Sequence, residues 1–285
     1  MMLKRTGKRQ RMFLLAALGI VVAALAALCV FAFPDQTAAY LWRQWRAGSL
    51  ALVLDKSDAP LAMQIGNYYF GTVPIGDSQP AYDPSLAAHA FDKALAIQPG
   101  ILWGHYDLAR IYFAQGDFAD ALAQINDELA ANPANLRSLY VRGLIYGFRD
   151  LPGDLSLAEN DLTRFTQWAP TEWAGYNDLS WILLQEGKYQ DVIAVIKAAS
   201  QKVANADQNP WLLNDKGLAY LNLGDDRGAA AAFTEALAAA DSLTDADWRA
   251  AYSGDAPSSD QQGLAAFKSG IQANLQKAQK EAQGS

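Results

Sequence analysis

Apolar side chains recur along this chain with the spacing of amphipathic helices, and the segments that carry them return about every 34 residues. Five such segments have small residues and larger apolar residues at matching offsets; they start at residues 59, 102, 136, 173 and 210. Pro99 and Pro133 lie 34 residues apart, and Pro170 closes a similar segment that is three residues longer. A period of this length predicts stacked helical hairpins.

The matching offsets have a packing reason. In the segment that starts at residue 102, small residues stand at position 8 (Ala109) and position 20 (Ala121), and larger apolar residues stand at positions 7, 11 and 24 (Leu108, Tyr112, Ile125). We expect positions 8 and 20 to lie where the two helices of a hairpin cross, because only a small side chain lets the backbones approach there. The other segments place these residues at positions 8 and 20, once about nine extra residues in the first segment and three in the third are allowed for: Gly66 and Ala87, Gly143 and Ala158, Ser180 and Val192, Gly217 and Ala229.

These residues give the region from 59 to 241 a pattern that resembles the tetratricopeptide repeat (TPR). The resemblance implies an all-α solenoid of about five helical hairpins, and residues 242–285 are expected to form a loop and a capping helix. Four residues depart from the TPR pattern: Arg142 and Lys216 at the usually apolar position 7, Glu128 at position 27 and Val192 at position 20. We interpret them as tolerated variation, and an unrelated helical array is the alternative.

The N-terminal region carries a second strong pattern. Residues 12–33 are 22 consecutive residues without a charge, which is enough for a helix to cross the hydrocarbon core of a bilayer. Residues 1–11 contain five cations, and the excess of positive charge predicts that this tail is cytoplasmic. We therefore predict a single-pass membrane protein, anchored in the lipid bilayer through residues 12–33, whose TPR domain is periplasmic or extracellular.

A cleaved signal peptide is the alternative to a retained anchor, and it would give a secreted TPR protein. The segment Val30-Phe31-Ala32 resembles a weak cleavage site, but the apolar run is longer than the 7–15 residues usual in signal peptides. Cys29 is the chain's single cysteine, so no intrachain disulfide can form and the fold must depend on packed helices.

Two connecting segments separate the anchor from the repeats or interrupt them. Residues 34–58 are predicted to form a juxtamembrane stalk that includes a short amphipathic helix. Its aromatic residues Tyr40, Trp42 and Trp45 are expected either at the membrane interface or packed under the first repeat. Residues 71–83 are rich in Gly, Pro and Asp, which predicts a loop inserted into the first hairpin.

Charge and motifs narrow the classes of function. The chain has 30 acidic and 23 basic residues, and because five of the basic residues precede the predicted span, the remainder is strongly acidic. This balance argues against nucleic-acid binding, which needs clustered Lys and Arg. The phosphate-binding, dinucleotide-binding and G-x-S-x-G motifs do not occur, and the two histidines lack the spacing of metal ligands. We expect no enzymatic activity, no catalytic residue, no cofactor and no metal site.

Binding of a protein or peptide segment remains as the expected activity. The TPR resemblance implies a groove lined by the first helix of each hairpin. Three groove candidates are Asp residues at position 6, which would repel a terminal carboxylate and favour an apolar segment that carries a basic residue. The expected aromatic anchors are Trp103, Tyr106, Trp181 and Trp211. The full set of candidates is Met63, Asn67, Trp103, Tyr106, Asp107, Arg110, Arg137, Tyr140, Leu144, Asn177, Asp178, Trp181, Trp211, Asn214 and Asp215.

The sequence thus predicts a membrane-anchored TPR scaffold for protein–protein interaction in an extracytoplasmic envelope complex. The alternative is a structural or self-associating protein whose groove is occupied by its own segments. Those segments would be the stalk, the loop at 71–83 or the C-terminal helix.

Overall fold

A computed structural model describes residues 3–71, 81–251 and 260–284 of the chain. The chain divides into two compact units, Met1–Ile101 and Leu102–Ser285. Regular secondary structure in the described residues is helical, apart from an isolated antiparallel bridge between Phe70 and Tyr82. The all-α solenoid predicted from the sequence is confirmed.

The first unit contains the apolar N-terminal helix and the first TPR-like hairpin. Helices α4 and α5 form that hairpin, and α2 packs on α3. The helices of this unit are α1 Leu3–Ala32, α2 Pro34–Trp45, α3 Gly48–Leu54, α4 Ala59–Tyr69 and α5 Pro84–Ile97.

The second unit contains four hairpins followed by two C-terminal helices. Each hairpin packs on the next through its second helix, and the last helix of the chain packs on the second helix of the last hairpin, where a further repeat would begin. A short 3-10 helix, Ala206–Gln208, precedes the last hairpin. The helices are α6 Gly104–Gln115, α7 Phe118–Ala131, α8 Arg137–Arg149, α9 Asp154–Trp168, α10 Trp173–Gln185, α11 Tyr189–Lys202, α12 Pro210–Asn222, α13 Asp226–Asp241, α14 Asp245–Ala251 and α15 Asp260–Gly284.

The hairpin crossings follow the predicted small residues. A Cβ atom added to Gly66 would lie 2.5 Å from the ring of Phe91, and one added to Gly217 would lie 2.5 Å from the ring of Phe233. Both rings are fully buried. The absence of a side chain at position 8 therefore makes room for the aromatic ring of the second helix, so the small residues are a packing requirement.

A left-handed residue at position 15 ends the first helix of each hairpin in the second unit. Gly116, Gly187 and Gly224 have φ values of 81°, 73° and 77°. Asp150 stands at the same position after α8 and has φ 50°. Because the left-handed region is unfavourable for most side chains and open to glycine, the backbone at this position explains three of the four residues found there.

Two of the departures from the TPR pattern are specific contacts, which the sequence interpretation of tolerated variation did not anticipate. The guanidinium of Arg142 donates from Nε and Nη2 to the two carboxylate oxygens of Asp161, at 2.7 and 3.0 Å. Glu128 is fully buried on α7 and accepts four hydrogen bonds, described below with the candidate site. Val192, in contrast, is a fully buried apolar residue in the core of the third hairpin of this unit.

The N-terminal helix α1 is long and apolar enough to cross a membrane. Its window Leu15–Ala32 has a mean hydropathy of 2.8, and none of the window is buried within the protein. A signal sequence near the N-terminus can also meet this test of length and apolar composition.

The segment predicted as a stalk folds into α2 and α3 and packs against the first hairpin. Trp42 is fully buried, its indole donates to Oε1 of Gln64 at 3.0 Å, and its ring contacts Tyr68 edge to face. Tyr40 and Trp45 remain 55% and 67% exposed. Trp42 therefore packs under the first repeat, which is one of the two expected roles. Tyr40 and Trp45 do not pack there and remain exposed, as the membrane-interface role requires.

Two further predictions concern the ends of the repeat region. Most of the predicted loop at 71–83, namely residues 72–80, lies outside the described residues. The C-terminal helix is present as α15, and its residues Ile271 and Leu275 join the core of the last hairpin. Helix α14 precedes it at Asp245–Ala251, and residues 252–259 lie outside the described part of the chain.

Candidate functional site

The predicted groove residues lie on the first helices of successive hairpins. Helices α6, α8, α10 and α12 contact one another in that order. We call the residues that they contribute the candidate face. It comprises Trp103, Tyr106, Asp107, Arg110, Arg137, Tyr140, Leu144, Asn177, Asp178, Trp181, Trp211, Asn214 and Asp215. Met63 and Asn67 lie on α4 in the first unit, the former buried and the latter half-buried.

The first part of the candidate face is built on Glu128. Its Oε1 atom accepts hydrogen bonds from the main-chain N–H of Trp103 at 3.2 Å and from Asn132 and Asn135 at 3.1 and 2.9 Å. Its Oε2 atom accepts from the main-chain N–H of Tyr106 at 3.4 Å. A buried carboxylate thereby fixes the start of α6 and the two aromatic residues that it presents.

Trp103 and Tyr106 form an aromatic pair at this end of the face. Their ring centroids are 5.0 Å apart in an edge-to-face arrangement, and Trp103 has φ 75°. Trp103 is 36% exposed, whereas Tyr106 is 9% exposed and has the guanidinium of Arg110 over its ring at 5.7 Å. Trp103 is thus the accessible member of the pair, and Tyr106 supports it from below.

Asp107 and Arg110 form an ion pair one helical turn apart, with Nη1 and Oδ1 at 3.2 Å. Asp107 is 6% exposed. Burial raises the pKa of the Asp107 carboxyl to about 6, although the Arg110 charge acts in the opposite direction. This acid is therefore close to its titration range near neutral pH, but it already has a cationic partner.

Charged contacts also connect the middle of the face. Arg137 donates from Nη2 to Oε1 of Glu172 at 2.7 Å, and both side chains are substantially exposed. The phenol of Tyr140 donates to Oδ2 of Asp178 at 2.6 Å, and Asn177 donates to Oδ1 of Asp178 at 3.1 Å. Desolvation by burial raises the pKa of Asp178 to about 6, and these two hydrogen bonds only partly oppose it.

Asp215 occupies on α12 the position that Asp178 occupies on α10. It is 8% exposed, and its Oδ2 atom has no hydrogen-bond partner. Burial, together with the negative charge of Asp178, raises the pKa of Asp215 well above its ordinary value. Two of the three position-6 acids thus lie on helices that pack together, and the charge of one acts on the other.

An aromatic row that the sequence analysis missed continues from Trp181. Phe148 lies 4.8 Å from Trp181 between ring centroids, and Phe113 lies 5.3 Å from Phe148. These rings come from α10, α8 and α6, and Phe148 is 54% exposed. The sequence shows Phe148 as a large apolar residue near the polar C-terminal end of α8. Its proximity to Trp181 could not be predicted, because it depends on how the helices stack.

Trp211 is covered by the protein's own C-terminal region. Its ring stacks on Trp173 at 4.9 Å and on Phe267 of α15 at 5.5 Å, and Trp248 of α14 lies 6.0 Å away. The residue is only 8% exposed. Asn214 on the same helix also meets α15, through Asn274 at 3.5 Å. The accessible aromatic residues of the face are therefore at its opposite end and its middle.

The described residues contain no group of three or more His, Cys, Asp or Glu side chains that could hold a metal ion. His105 lies at a packing position of α6, where its Nδ1 atom is 2.7 Å from Oε1 of Gln124. This contact gives the histidine a structural partner on α7.

Comparisons with known proteins agree with the geometry. Residues 81–142 match the family model described as tetratricopeptide repeat. The crystal structure of MamA protein is 18% identical, with 65% of this chain and 96% of that chain covered and a TM-score of 0.52. The crystal structure of YrrB, described as a TPR protein with an unusual peptide-binding site, is 16% identical, with 68% and 92% covered and a TM-score of 0.53. At these identities the likeness concerns the fold.

No curated protein sequence matches the chain. The helical hairpins, their small crossing residues and the match at residues 81–142 nevertheless agree on one family. Residues 81–142 thus carry the tetratricopeptide repeat, and the described helical hairpins have the fold of TPR proteins.

Proposed function

We propose that this protein is a membrane-anchored scaffold that binds a segment of another protein on the candidate face of its second unit, in an extracytoplasmic envelope complex. Protein–protein interaction is the activity that TPR hairpins support in general. The observation that carries the proposal is the exposure of Trp103, which directly precedes α6, and of Phe148 on α8, which contacts Trp181 of the candidate face. Phe148 is 54% exposed and Trp103 is 36% exposed. Exposed aromatics on a rigid helical array are typical interface anchors.

The contacts around these aromatics support a preorganised binding surface. Trp103 is fixed through the bond from its main chain to Glu128. The indole of Trp181 packs against Gly147, where an added Cβ would lie 2.7 Å from it. This close contact fixes the position of the ring. A surface that is already ordered loses less entropy when a partner binds.

Partner capture with the full-length chain tests this proposal. A Trp103→Ala, Trp181→Ala double variant is expected to lose captured partners while it keeps its helical content. The matched control is Trp168→Ala on α9, because that tryptophan is 45% exposed but lies on a second helix. Equal capture by the double variant and the wild type would contradict the proposal.

The membrane part of the proposal rests on the end of α1 and on the helices that follow it. An apolar pocket of about 710 Å³ lies in the first unit next to the candidate span, and Tyr40 belongs to its lining. Exposed Tyr40 and Trp45 suit the interface of a bilayer, where amphipathic rings are favoured. The pocket is lined by Cys29, Val30, Phe33, Gln36, Thr37, Tyr40, Leu41, Leu50 and Leu54.

Reporter fusions test the topology. A fusion at residue 285 is expected to report an extracytoplasmic location, and a fusion at the N-terminus is expected to report the cytoplasm. N-terminal sequencing of the mature chain separates a retained anchor from a secreted product. A cytoplasmic signal from the C-terminal fusion would overturn the proposed compartment.

A second candidate function is self-association or self-occupation of the face, and the cover over Trp211 favours it. Phe267 of α15 stacks on this ring with an interplanar angle of 17°. Hydrogen exchange discriminates the two functions. The self-occupied form predicts that protection along α6, α8 and α10 does not change when candidate partners are added, whereas the scaffold predicts that it increases when a partner binds.

A further inference from the structure

Several buried acids of the second unit have a cationic partner. Asp107 pairs with Arg110 at 3.2 Å, Asp161 with Arg142 at 2.7 Å and Asp154 with Arg149 at 2.7 Å. Such pairing is the rule for buried charges, because an uncompensated charge away from water is costly. Acids that break this rule require an explanation.

The fully buried Glu128 has no cationic partner but accepts four hydrogen bonds, whereas the half-buried Asp178 and the buried Asp215 have neither a cation nor four donors. Within the described part of the chain neither carboxylate has a Lys or Arg within ion-pair distance. Asp178 is held by two neutral donors, the phenol of Tyr140 at 2.6 Å and the amide of Asn177 at 3.1 Å. Asp215 is more than nine-tenths buried, and its Oδ2 atom receives no hydrogen bond. A buried acceptor without a donor lacks the compensation that its loss of water requires, so a positive group brought to it would stabilise it.

The two carboxylates belong to one place on the candidate face. They stand at position 6 of α10 and α12, which pack against each other. Burial raises the pKa of Asp215, and the negative charge of Asp178 on the neighbouring helix adds to that effect. Two carboxylates held on neighbouring helices are complementary in charge to one positive group placed between them.

The chemistry of the surroundings identifies the kind of cation. A metal ion requires more ligands than this pair supplies, and the described residues contain no cluster that could hold one. Trp181 lies three residues after Asp178, so the two side chains are neighbours on the surface of α10. An aromatic face beside carboxylates suits a Lys or Arg side chain, whose methylene groups pack on the ring while the charged end reaches the acids.

We propose that Asp178 and Asp215 form a binding site for one Lys or Arg side chain of a partner protein segment, whose apolar neighbours rest on Trp181 and Phe148. The inference rests on the proposed scaffold function and deepens it, because it assigns a chemical requirement to the segment. The partner must place a cation next to apolar residues, and a free carboxylate in the same place is repelled.

A random dodecapeptide library displayed on phage tests the site against the full-length chain in nanodiscs of zwitterionic lipid, with empty nanodiscs as background. We expect enrichment of peptides with one recurrent Lys or Arg flanked by apolar residues. Replacement of that residue by norleucine in a synthetic peptide should weaken binding at least about tenfold, and an Asp178→Asn, Asp215→Asn variant should weaken the original peptide to a similar extent. Asn keeps the shape of Asp and can still accept the bond from Tyr140.

Controls separate this site from general attraction to an acidic protein. Asp191→Asn removes an equal charge from an exposed position on α11 and should leave the affinity unchanged. An equal loss from Asp191→Asn would overturn the site, and so would unchanged binding by the double variant. If spermidine alone competed for Asp178 and Asp215 as well as the peptide does, the cation would come from a free polyamine and the assignment to a protein segment would be wrong.

The outcomes also separate this inference from the scaffold proposal. Enriched peptides that lack a cation but lose binding to a Trp181→Ala variant would overturn the cation site and leave the scaffold intact. A library that enriches nothing, together with unchanged partner capture by the Trp103→Ala, Trp181→Ala variant, would overturn both.

Discussion

The side chain of Glu128 on α7 accepts the main-chain N–H of Trp103 at 3.2 Å, and it thereby connects a buried carboxylate to an exposed aromatic of the candidate face. Glu128 itself has no solvent exposure. Its remaining acceptor capacity serves Tyr106, Asn132 and Asn135. The binding surface and the core of this hairpin therefore share one residue.

Substitution of Glu128 by Ala is expected to destabilise the protein by about 3 kcal/mol, because four buried or half-buried donors lose their acceptor together. Glu128→Gln keeps one carbonyl oxygen at this place and should cost less. Chemical denaturation of the full-length chain in detergent measures both. Asp127→Ala is the control, since Asp127 is exposed on the same helix, and a loss as large as that of Glu128→Ala would contradict the role given to Glu128.

The stability of the protein is expected to fall as pH rises from about 4 to about 6. Asp107 and Asp178 have folded-state pKa values of about 6, above the ordinary value of 3.8, because burial penalises their charged forms. Below pH 3.8 both the folded and the unfolded chain carry these carboxyls protonated, so the penalty is absent. It grows as pH passes through the window between the two pKa values and reaches roughly 3 kcal/mol for each group above that range.

The matched measurement compares unfolding free energies at pH values of about 4.5 and about 7, one inside this window and one above it. Asp178→Asn should be more stable than the wild type at both pH values, and by a clearly larger margin at the higher one, because an amide does not titrate. Asp35 and Asp154 have lowered pKa values from hydrogen bonds to Ser57 and to Arg149, so their contribution is lost only below the chosen window. Identical pH profiles for the wild type and Asp178→Asn would exclude this explanation.

The pair Arg142 and Asp161 predicts a strong dependence of each residue on the other. Arg142→Leu should destabilise the protein by about 3 kcal/mol, because Asp161 is 3% exposed and would remain as an unpaired buried charge. The double variant Arg142→Leu, Asp161→Leu should recover most of that loss, since position 7 is apolar in three of the other four hairpins. A double-mutant cycle by urea denaturation measures the coupling, and additive losses would show that the ion pair is not the reason for Arg142.

Substitutions at position 15 should change stability in opposite directions, depending on whether glycine is removed or introduced at a left-handed backbone conformation. Gly187→Ala should lower the free energy of unfolding by about 1 kcal/mol, because the residue has φ 73°. Asp150→Gly should raise stability or leave it unchanged, since Asp150 holds the same left-handed conformation with φ 50°. Gly100→Ala is the control, because an added Cβ there meets nothing within 4 Å and the residue does not have a positive φ. Thermal unfolding curves of the three variants decide the point.

The fold was predictable from sequence because its determinants recur. Gly66 contacts Phe91 as Gly217 contacts Phe233. The same packing requirement therefore recurs in several hairpins, and it appears in the sequence as a periodic pattern of small and large residues. Glu128 was not predictable by that means, because its partners include main-chain N–H groups of a different helix and occur once. From sequence alone, one charged residue in a repeat pattern looks the same as neutral variation. Only the structure shows the hydrogen-bond donors that require it.

The candidate site was predictable only as a set of positions. Trp103 and Trp211 occupy the same offset, yet the first is 36% exposed and the second is covered by Phe267. The difference comes from α15, which follows the last hairpin and has no counterpart over Trp103 among the described residues of the second unit. Repeat offsets therefore identify which residues can reach the face, and the ends of the array determine which of them remain accessible.

Trp42 and Trp45 offer a last test, because two residues with the same expected role have opposite environments. Trp42 is fully buried and donates to Gln64, so Trp42→Ala should cost about 3–5 kcal/mol of unfolding free energy, as large aromatic deletions do. Trp45 is 67% exposed, and Trp45→Ala should leave stability within about 0.5 kcal/mol of the wild type. If α2 faces the bilayer, quenching of tryptophan fluorescence by brominated lipid should decrease in Trp45→Ala. Equal quenching in the wild type and in Trp45→Ala would place this ring away from the lipid and remove one support for the proposed orientation of α2.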